Sequence, residues 1–269
     1  MNVNDPHHDR ASQIGIDAAY YATLGLGLDT SHGIAYRDLG FLVEKHCPRK
    51  DCAVDVGCGA GRSSRLLKHI GFTRVTGVDI RDEMLDKTKQ KPVLGVEYLL
   101  MPNGFVPLED GTCDLAFSGI VLLEISRKED IEKMLGECRR VIQPDGTVMI
   151  LTHTKEGYTT DSESFECLLS HEDKAKLKDG DLVSTRAKAT KEVFTDIFWS
   201  DAFLKRAFDN AGFRFVQEHI PIPTDEQIAQ STELTKTPRW VIYVLKKKDN
   251  VELPVTEAGA EVAGVLKAA

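Results

Sequence analysis

Between residues 52 and 152 short apolar runs alternate with amphipathic runs, and this rhythm restricts the fold more than any other feature of the chain. Residues 53–56, 75–80, 96–101, 114–118 and 147–152 are short, apolar and bounded by breakers, as buried strands are. Residues 62–70, 81–90 and 129–142 carry apolar positions at helical spacing. In the last of them Ile131, Met134, Leu135, Cys138 and Val141 share one face. Gly71, Pro92 and Pro144-Asp145-Gly146 stop these helices. Strands separated by helices join through right-handed crossovers, so the segment predicts an α/β fold with a mostly parallel sheet flanked by helices.

The flanking segments are less regular. Residues 1–12 read as loose. Residues 13–47 read as one or two helices interrupted by Gly25, Gly27 and Gly33, with Ser31 as an N-cap. Residues 155–195 are polar and too long for a plain connection, with short helices expected at 164–170 and 172–178. They form either a surface excursion or a lid. Their place after a strand whose C-terminal end faces a ligand favours the lid. A helix at 200–211, strands at 213–220 and 239–245, and a helical piece at 225–233 resume the pattern. The expectation is one domain over 1–269. It comprises an N-terminal helical cap (1–47), a core (48–154), a lid-like insertion (155–199), the rest of the core (200–248) and a flexible tail (249–269).

Composition narrows the partners. The net charge of −8 argues against nucleic acid, which needs a cationic face to replace phosphate counterions. Lys246-Lys247-Lys248 is the one dense basic run, and it reads as solvated charge at a strand end. The six cysteines form no C-x-x-C pair and no zinc-ligand spacing, so no metal is expected and the compartment is reducing, hence cytoplasmic. The polar N-terminus has no signal-peptide core, and no apolar stretch approaches the roughly 20 residues that span a bilayer, so no membrane partner is expected.

The segment Asp55-Val56-Gly57-Cys58-Gly59-Ala60-Gly61-Arg62 joins the first strand to the first helix. Glycines there allow a sharp turn and close approach of a ligand to the backbone. The helix start offers unpaired N–H groups. Eighteen residues after Gly61, Asp79 ends the second strand, where a carboxylate can accept from two ribose hydroxyls. The dinucleotide fingerprint G-x-G-x-x-G fails, because its third glycine would fall on Arg62 or on Ser64.

The observed D-x-G-x-G-x-G resembles the first motif of class I S-adenosylmethionine-dependent methyltransferases, of the small-molecule type. Val106-Pro107-Leu108-Glu109-Asp110-Gly111-Thr112-Cys113-Asp114-Leu115 is similar to the segment leading into that family's fourth strand. Val121-Leu122-Leu123-Glu124-Ile125 is similar to the apolar stretch after it, and Arg139-Arg140-Val141-Ile142 with Pro144 and Gly146 to its helix–turn–strand. The likeness covers about 100 residues and leaves out the N-terminal helices and the insertion. It implies a Rossmann-like fold with a seven-stranded, mostly parallel sheet, and S-adenosylmethionine as cofactor. It places Asp55, Gly57 and Gly59 around the methionine end, with Gly61 allowing close helix packing. Asp79 would hold the ribose hydroxyls and Ile80 would lie against the adenine. Asn103 is a candidate for the adenine edge, in the absence of the family's acidic residue. Ser118 would lie near the methionine moiety, and Tyr21 would close over the cofactor unless it serves helix packing.

Methyl transfer from a sulfonium mainly requires alignment of nucleophile and methyl, and needs a base only for a protonated amine or a weakly acidic hydroxyl. His153, after the fifth strand, is the candidate base; the alternative is a polar residue satisfied at a strand end. Tyr20, Glu124, His171 and Trp199 are candidates for the acceptor pocket, with helix packing the alternative for Tyr20 and salt bridging for Glu124. The Asn/Asp-Pro-Pro-aromatic motif of adenine and glutamine methyltransferases is missing after the fourth strand, where Ser118-Gly119-Ile120-Val121 stands. The expected reaction is therefore methylation of an oxygen or nitrogen of a small molecule, a secondary metabolite, by a monomer or homodimer. The alternatives are a C-methyltransferase and a non-catalytic interaction protein on the same scaffold; a dehydrogenase ranks last.

Overall fold

The computed structural model describes residues 31–162, 165–231 and 234–248. In chain order the elements are α1 Ser31–Arg37, α2 Leu39–His46, β1 Cys52–Val56, α3 Arg62–Ile70, β2 Arg74–Asp79, α4 Asp82–Thr88 and β3 Val96–Leu100. Then come β4 Cys113–Gly119, α5 Lys128–Val141, β5 Ile142–His153, α6 Lys155–Thr159, β6 Phe165–Cys167 and α7 His171–Lys176. The last are β7 Leu182–Ala187, β8 Val193–Ile197, α8 Asp201–Asn210, β9 Phe213–His219, α9 Asp225–Ala229 and β10 Trp240–Lys247. The main sheet has seven strands in the order β3-β2-β1-β4-β5-β10-β9. β1 to β5 pair in parallel, while β10 runs antiparallel to both β5 and β9. This is the mostly parallel sheet that the alternation predicts, with the seven strands and Rossmann-like order that the resemblance implies.

Every residue of β1 and β4 is buried, because helices cover both faces of a parallel sheet. Side chains alternate between the faces. Val54, Val56 and Ala116 pack with Leu135 of α5 and Leu204 and Phe208 of α8. Ala53, Leu115 and Phe117 pack with Leu39, Leu42 and Val43 of α2 and with Leu67 of α3. α3 ends at Gly71, whose φ of 116° lets its N–H turn back to the Leu67 and Lys68 carbonyls.

The insertion departs from expectation. The helix expected at 164–170 is replaced by β6, which pairs antiparallel with β7, and β7 pairs with β8. The β-branched content of Leu182–Ala187 and Val193–Ile197 favours this small sheet, and β6 completes it with three residues. The expected second helix is α7, begun by Ser170 accepting from the Asp173 N–H. The helical piece at 225–233 is only α9, held by a capping box between Thr224 and Gln227.

Two other readings are corrected. Pro144-Asp145-Gly146 does not separate helix from strand. β5 already begins at Ile142 opposite Cys113, and the register then shifts so that Thr147 faces Leu115. Nor is the lysine run simply solvated. Lys246 donates to the His46 and Asp145 carbonyls, Lys247 to the Ile142 carbonyl, and Lys248 to Asp209. Burial lowers the pKa of Lys246 and Lys247. These cations clip the lower ends of β5, β9 and β10 to their neighbours.

Candidate active site

A cavity of about 640 Å³ lies at the C-terminal ends of β1, β2 and β4. Here the strand order reverses, with β1 leading to β2 on one side and β3 crossing back to β4 on the other, so the sheet leaves a crevice. Gly57 and Gly59 line it from the turn after β1, Asp79, Ile80 and Arg81 from the end of β2, and Gly119, Ile120 and Val121 from the end of β4. The volume suits a small molecule. Gly57 has a φ of 75°, and a Cβ there would collide with Val121, so a side chain is excluded on both counts.

Four of the turn's N–H groups are spent internally. Gly57 and Cys58 donate to the Val78 carbonyl at 2.8 and 3.0 Å, Gly61 to the Cys58 carbonyl at 2.9 Å, and Gly59 to Asp79 Oδ2 at 2.8 Å. The start of α3 faces Asp55, which accepts from the Ser63 and Ser64 hydroxyls at 2.7 and 2.5 Å. Its negative charge matches the positive helix end. Burial raises the Asp55 pKa to about 6, against the pull of both serines. The turn therefore gives close approach while its glycine N–H groups serve the protein's own carbonyls and Asp79.

Asp79 is the fixed polar point of the cavity. Gly59 holds Oδ2 and the Arg81 N–H holds Oδ1 at 3.0 Å. Each oxygen keeps a further lone pair for an incoming hydroxyl. Beside it Ile80 is 63 % exposed, an unusual state for isoleucine and a ready apolar surface for a flat ring. Asn103 lines the same wall in the left-handed region, and its carbonyl accepts from Lys133.

Residues 54–150 match the model of a family described as a methyltransferase domain. That segment, little more than a third of the chain, is similar to a methyltransferase domain. Solved structures similar to the chain include S-adenosylmethionine-dependent methyltransferases from Mesorhizobium loti, Aquifex aeolicus and Clostridium acetobutylicum. The first is 19 % identical with a TM-score of 0.58, covering 82 % of this chain and 100 % of that one. The second is 18 % identical with a TM-score of 0.55, covering 86 % and 98 %. The third is 13 % identical with a TM-score of 0.58, covering 86 % and 97 %. At these identities the likeness is one of fold. A curated relative, the ribosomal protein L11 methyltransferase of Thermotoga neapolitana, is 26 % identical over 126 residues. That match spans 46 % of this chain and 46 % of the relative, about half of either.

The fold brings Gly57, Gly59, Asp79, Ile80, Asn103 and Glu124 together on the cavity wall. Five other candidates lie off it. Asp55 is buried behind the turn, and Ser118 is buried with its hydroxyl toward the Met134 sulfur. His153 packs edge-on between Tyr158 and Trp240, with ring centroids 4.9 and 4.2 Å away. This is an aromatic cluster outside the lining, because β10 pairs Trp240 directly opposite His153. His171 is exposed at the start of α7. Trp199 donates to the Ile125 carbonyl at 3.0 Å and stacks on Phe203, in a shallow neighbouring groove with Arg127, Lys128 and Arg206. Tyr20 and Tyr21 lie outside the described residues.

Sequence reasoning missed Arg81, Met84, Met101 and Lys133 on the wall. Arg81 pairs with Glu124 at 3.4 Å. The available signal was its place two residues after Asp79. Asp196 was also missed. It is a half-buried carboxyl on β8 whose pKa rises to about 7, first through burial and then through the charge of Glu124. The folded protein therefore holds this proton where the unfolded chain has released it. Stability from this group falls as pH rises from the ordinary carboxylate range to about 7, and stays low above that. Asp196→Asn should remove that slope and raise stability at pH 8 by about 2 kcal/mol, allowing for the water that still reaches the group. Parallel denaturation curves at pH 5 and pH 8 check this; a constant offset between variant and wild type would contradict it.

No helix among the described residues is long and apolar enough to cross a membrane, and no group of His, Cys, Asp or Glu among them could hold a metal ion.

Proposed function

We propose that the domain moves a methyl group from S-adenosylmethionine to an oxygen or nitrogen of a small molecule, a secondary metabolite, by in-line displacement. The supporting observation is Asp79, fixed by two backbone N–H groups beside the exposed Ile80, in a cavity whose turn commits the N–H groups of all three glycines to the protein itself. Asp79 would take the ribose hydroxyls, Ile80 the adenine face and Asn103 the adenine edge. Gly57 and Gly59 would admit the methionine portion close to the backbone. The bound cofactor supplies an electrophilic methyl on a positive sulfur.

The acceptor would enter past Glu124 and Arg81, whose ion pair stands on the wall. β8 packs against the 3-10 turn Leu122–Glu124, which makes residues 155–199 the part of the chain suited to cover that side as a lid. The smallness of the acceptor rests on the cavity volume, the acidic net charge and the missing Asn/Asp-Pro-Pro-aromatic motif. The cytoplasmic placement rests on free cysteines, five of them buried.

Calorimetric titration with S-adenosylmethionine and with S-adenosylhomocysteine tests the cofactor. Micromolar binding of either is expected, and labelled-methyl transfer to a set of amines, phenols and carboxylic acids then sorts the acceptor atom. A folded chain that binds neither compound, with or without those acceptors, would overturn the reading in favour of an interaction protein.

A further inference from the structure

At the end of the sheet away from the cavity, Cys52 opens β1 and Cys113 opens β4. Their sulfurs lie 3.5 Å apart, in van der Waals contact. Regular alternation would not bring them together. Cys113 packs on the same face as Cys52 and Val54, while Leu115, two residues on, packs on the other face. The register shift between Cys113 and Leu115 produces this change of side. Asp114 pins the place: its Oδ2 accepts from the Asp51 and Cys52 N–H groups at 2.8 and 3.0 Å, and its Oδ1 accepts from Arg49.

The two thiols are not equivalent. Cys52 keeps 6 % of its surface exposed and Cys113 none, so a small oxidant reaches Cys52 first. The sulfur–sulfur hydrogen bond and, to a lesser degree, Arg74 hold the Cys52 thiol below its ordinary range; the same contact and burial push Cys113 well above it. A thiolate is the nucleophile in such chemistry. A disulfide requires the sulfurs to close by about 1.5 Å, within reach of side-chain rotation plus a small approach of two paired strands.

We propose that Cys52 and Cys113 are a modification site that closes to a reversible disulfide in the presence of hydrogen peroxide. The Cys52 thiolate attacks a peroxide oxygen; an S–O bond forms, the O–O bond breaks, and the departing hydroxide takes up the thiol proton as water. The Cys113 sulfur then attacks the Cys52 sulfur. An S–S bond forms, the S–O bond breaks, and the hydroxyl leaves with the Cys113 proton as a second water. Two electrons pass from the sulfurs to the peroxide. The link ties β1 to β4, the strands that carry the glycine turn and the Gly119–Val121 wall at their other ends.

The test treats the full chain with hydrogen peroxide, alkylates it in denaturant and maps unreduced peptides by mass spectrometry. A linked pair containing Cys52 and Cys113, lighter than its two thiol peptides by two hydrogens and lost on treatment with dithiothreitol, is expected. In Cys113→Ser, Cys52 should instead accumulate as a sulfenic acid that dimedone traps. Recovery of both cysteines alkylated or separately oxidised in the wild-type chain, while the half-buried Cys167 reacts, would overturn the proposal. The wild-type map decides even if the variant does not fold.

Discussion

Asp79→Ala should abolish measurable binding of S-adenosylmethionine and S-adenosylhomocysteine while leaving the circular dichroism spectrum of the domain unchanged. The carboxylate offers two charge-assisted hydrogen bonds to a diol, each worth roughly 1.5–3 kcal/mol, so their loss corresponds to about a thousandfold in affinity. It also orders the turn. Without it the Gly59 and Arg81 N–H groups lose their acceptors, and Gly59 is no longer held in the cavity wall. The folded state should lose about 2 kcal/mol from those orphaned donors, a drop in denaturation midpoint but not collapse. Asp79→Asn separates the two effects. Its amide oxygen can still accept one backbone N–H, so stability should be mostly retained while affinity falls by about tenfold to a hundredfold. Affinity within twofold of wild type in Asp79→Ala would remove Asp79 from the site.

What the sequence disclosed and what it hid divide along a physical line. β1, β2, β4 and α5 are legible because burial on a parallel sheet forces unbroken apolar runs and a helical stripe, which Val54, Val78, Phe117 and Leu135 display. The glycine turn is legible because Gly57, Gly59 and Gly61 all have positive φ and two of them stand against other side chains. The small sheet was hidden because a half-exposed, three-residue strand such as Phe165–Cys167 exists only through its partners, and short-range pattern does not report partners. The start of β5 was hidden because Pro144 and Gly146 serve a register shift as readily as a turn.

The same limit governs the site. Asp79 and Ile80 are adjacent in the chain, so a strand-end position placed them. His153 also ends a strand on the ligand side, yet the antiparallel neighbour β10 covers it with Trp240, and that pairing is a long-range event. Asp196 reaches the neighbourhood of Glu124 only through the insertion, and an isolated carboxylate between Thr195 and Ile197 carried no motif. Trp199 has an indole N–H already satisfied by the Ile125 carbonyl, which makes it a brace between the insertion and the loop after β4.

Gly61→Ala should be the most damaging single methyl addition in the turn. Gly61 caps α3 with a φ of 76°, where an L-residue with a Cβ costs about 1 kcal/mol. The added carbon would also fall on the Tyr98 ring, 2.7 Å from both Cε1 and Cζ. Tyr98 cannot retreat freely, because its hydroxyl meets the Gly61 carbonyl and the same ring packs over Gly77. Overpacking of this kind adds roughly 1–3 kcal/mol, for a total loss of about 2–4 kcal/mol by chemical denaturation. The two contributions are separable. In a Tyr98→Ala background the steric part vanishes and the backbone part stays, so Gly61→Ala should then cost only about 1 kcal/mol. Cofactor affinity should fall in Gly61→Ala and recover in part in the double variant, since the strained turn displaces Gly59 and with it the partner of Asp79. An equal cost in both backgrounds would mean that the φ angle alone dictates glycine at this position, and that the ring of Tyr98 merely fills the space that glycine leaves.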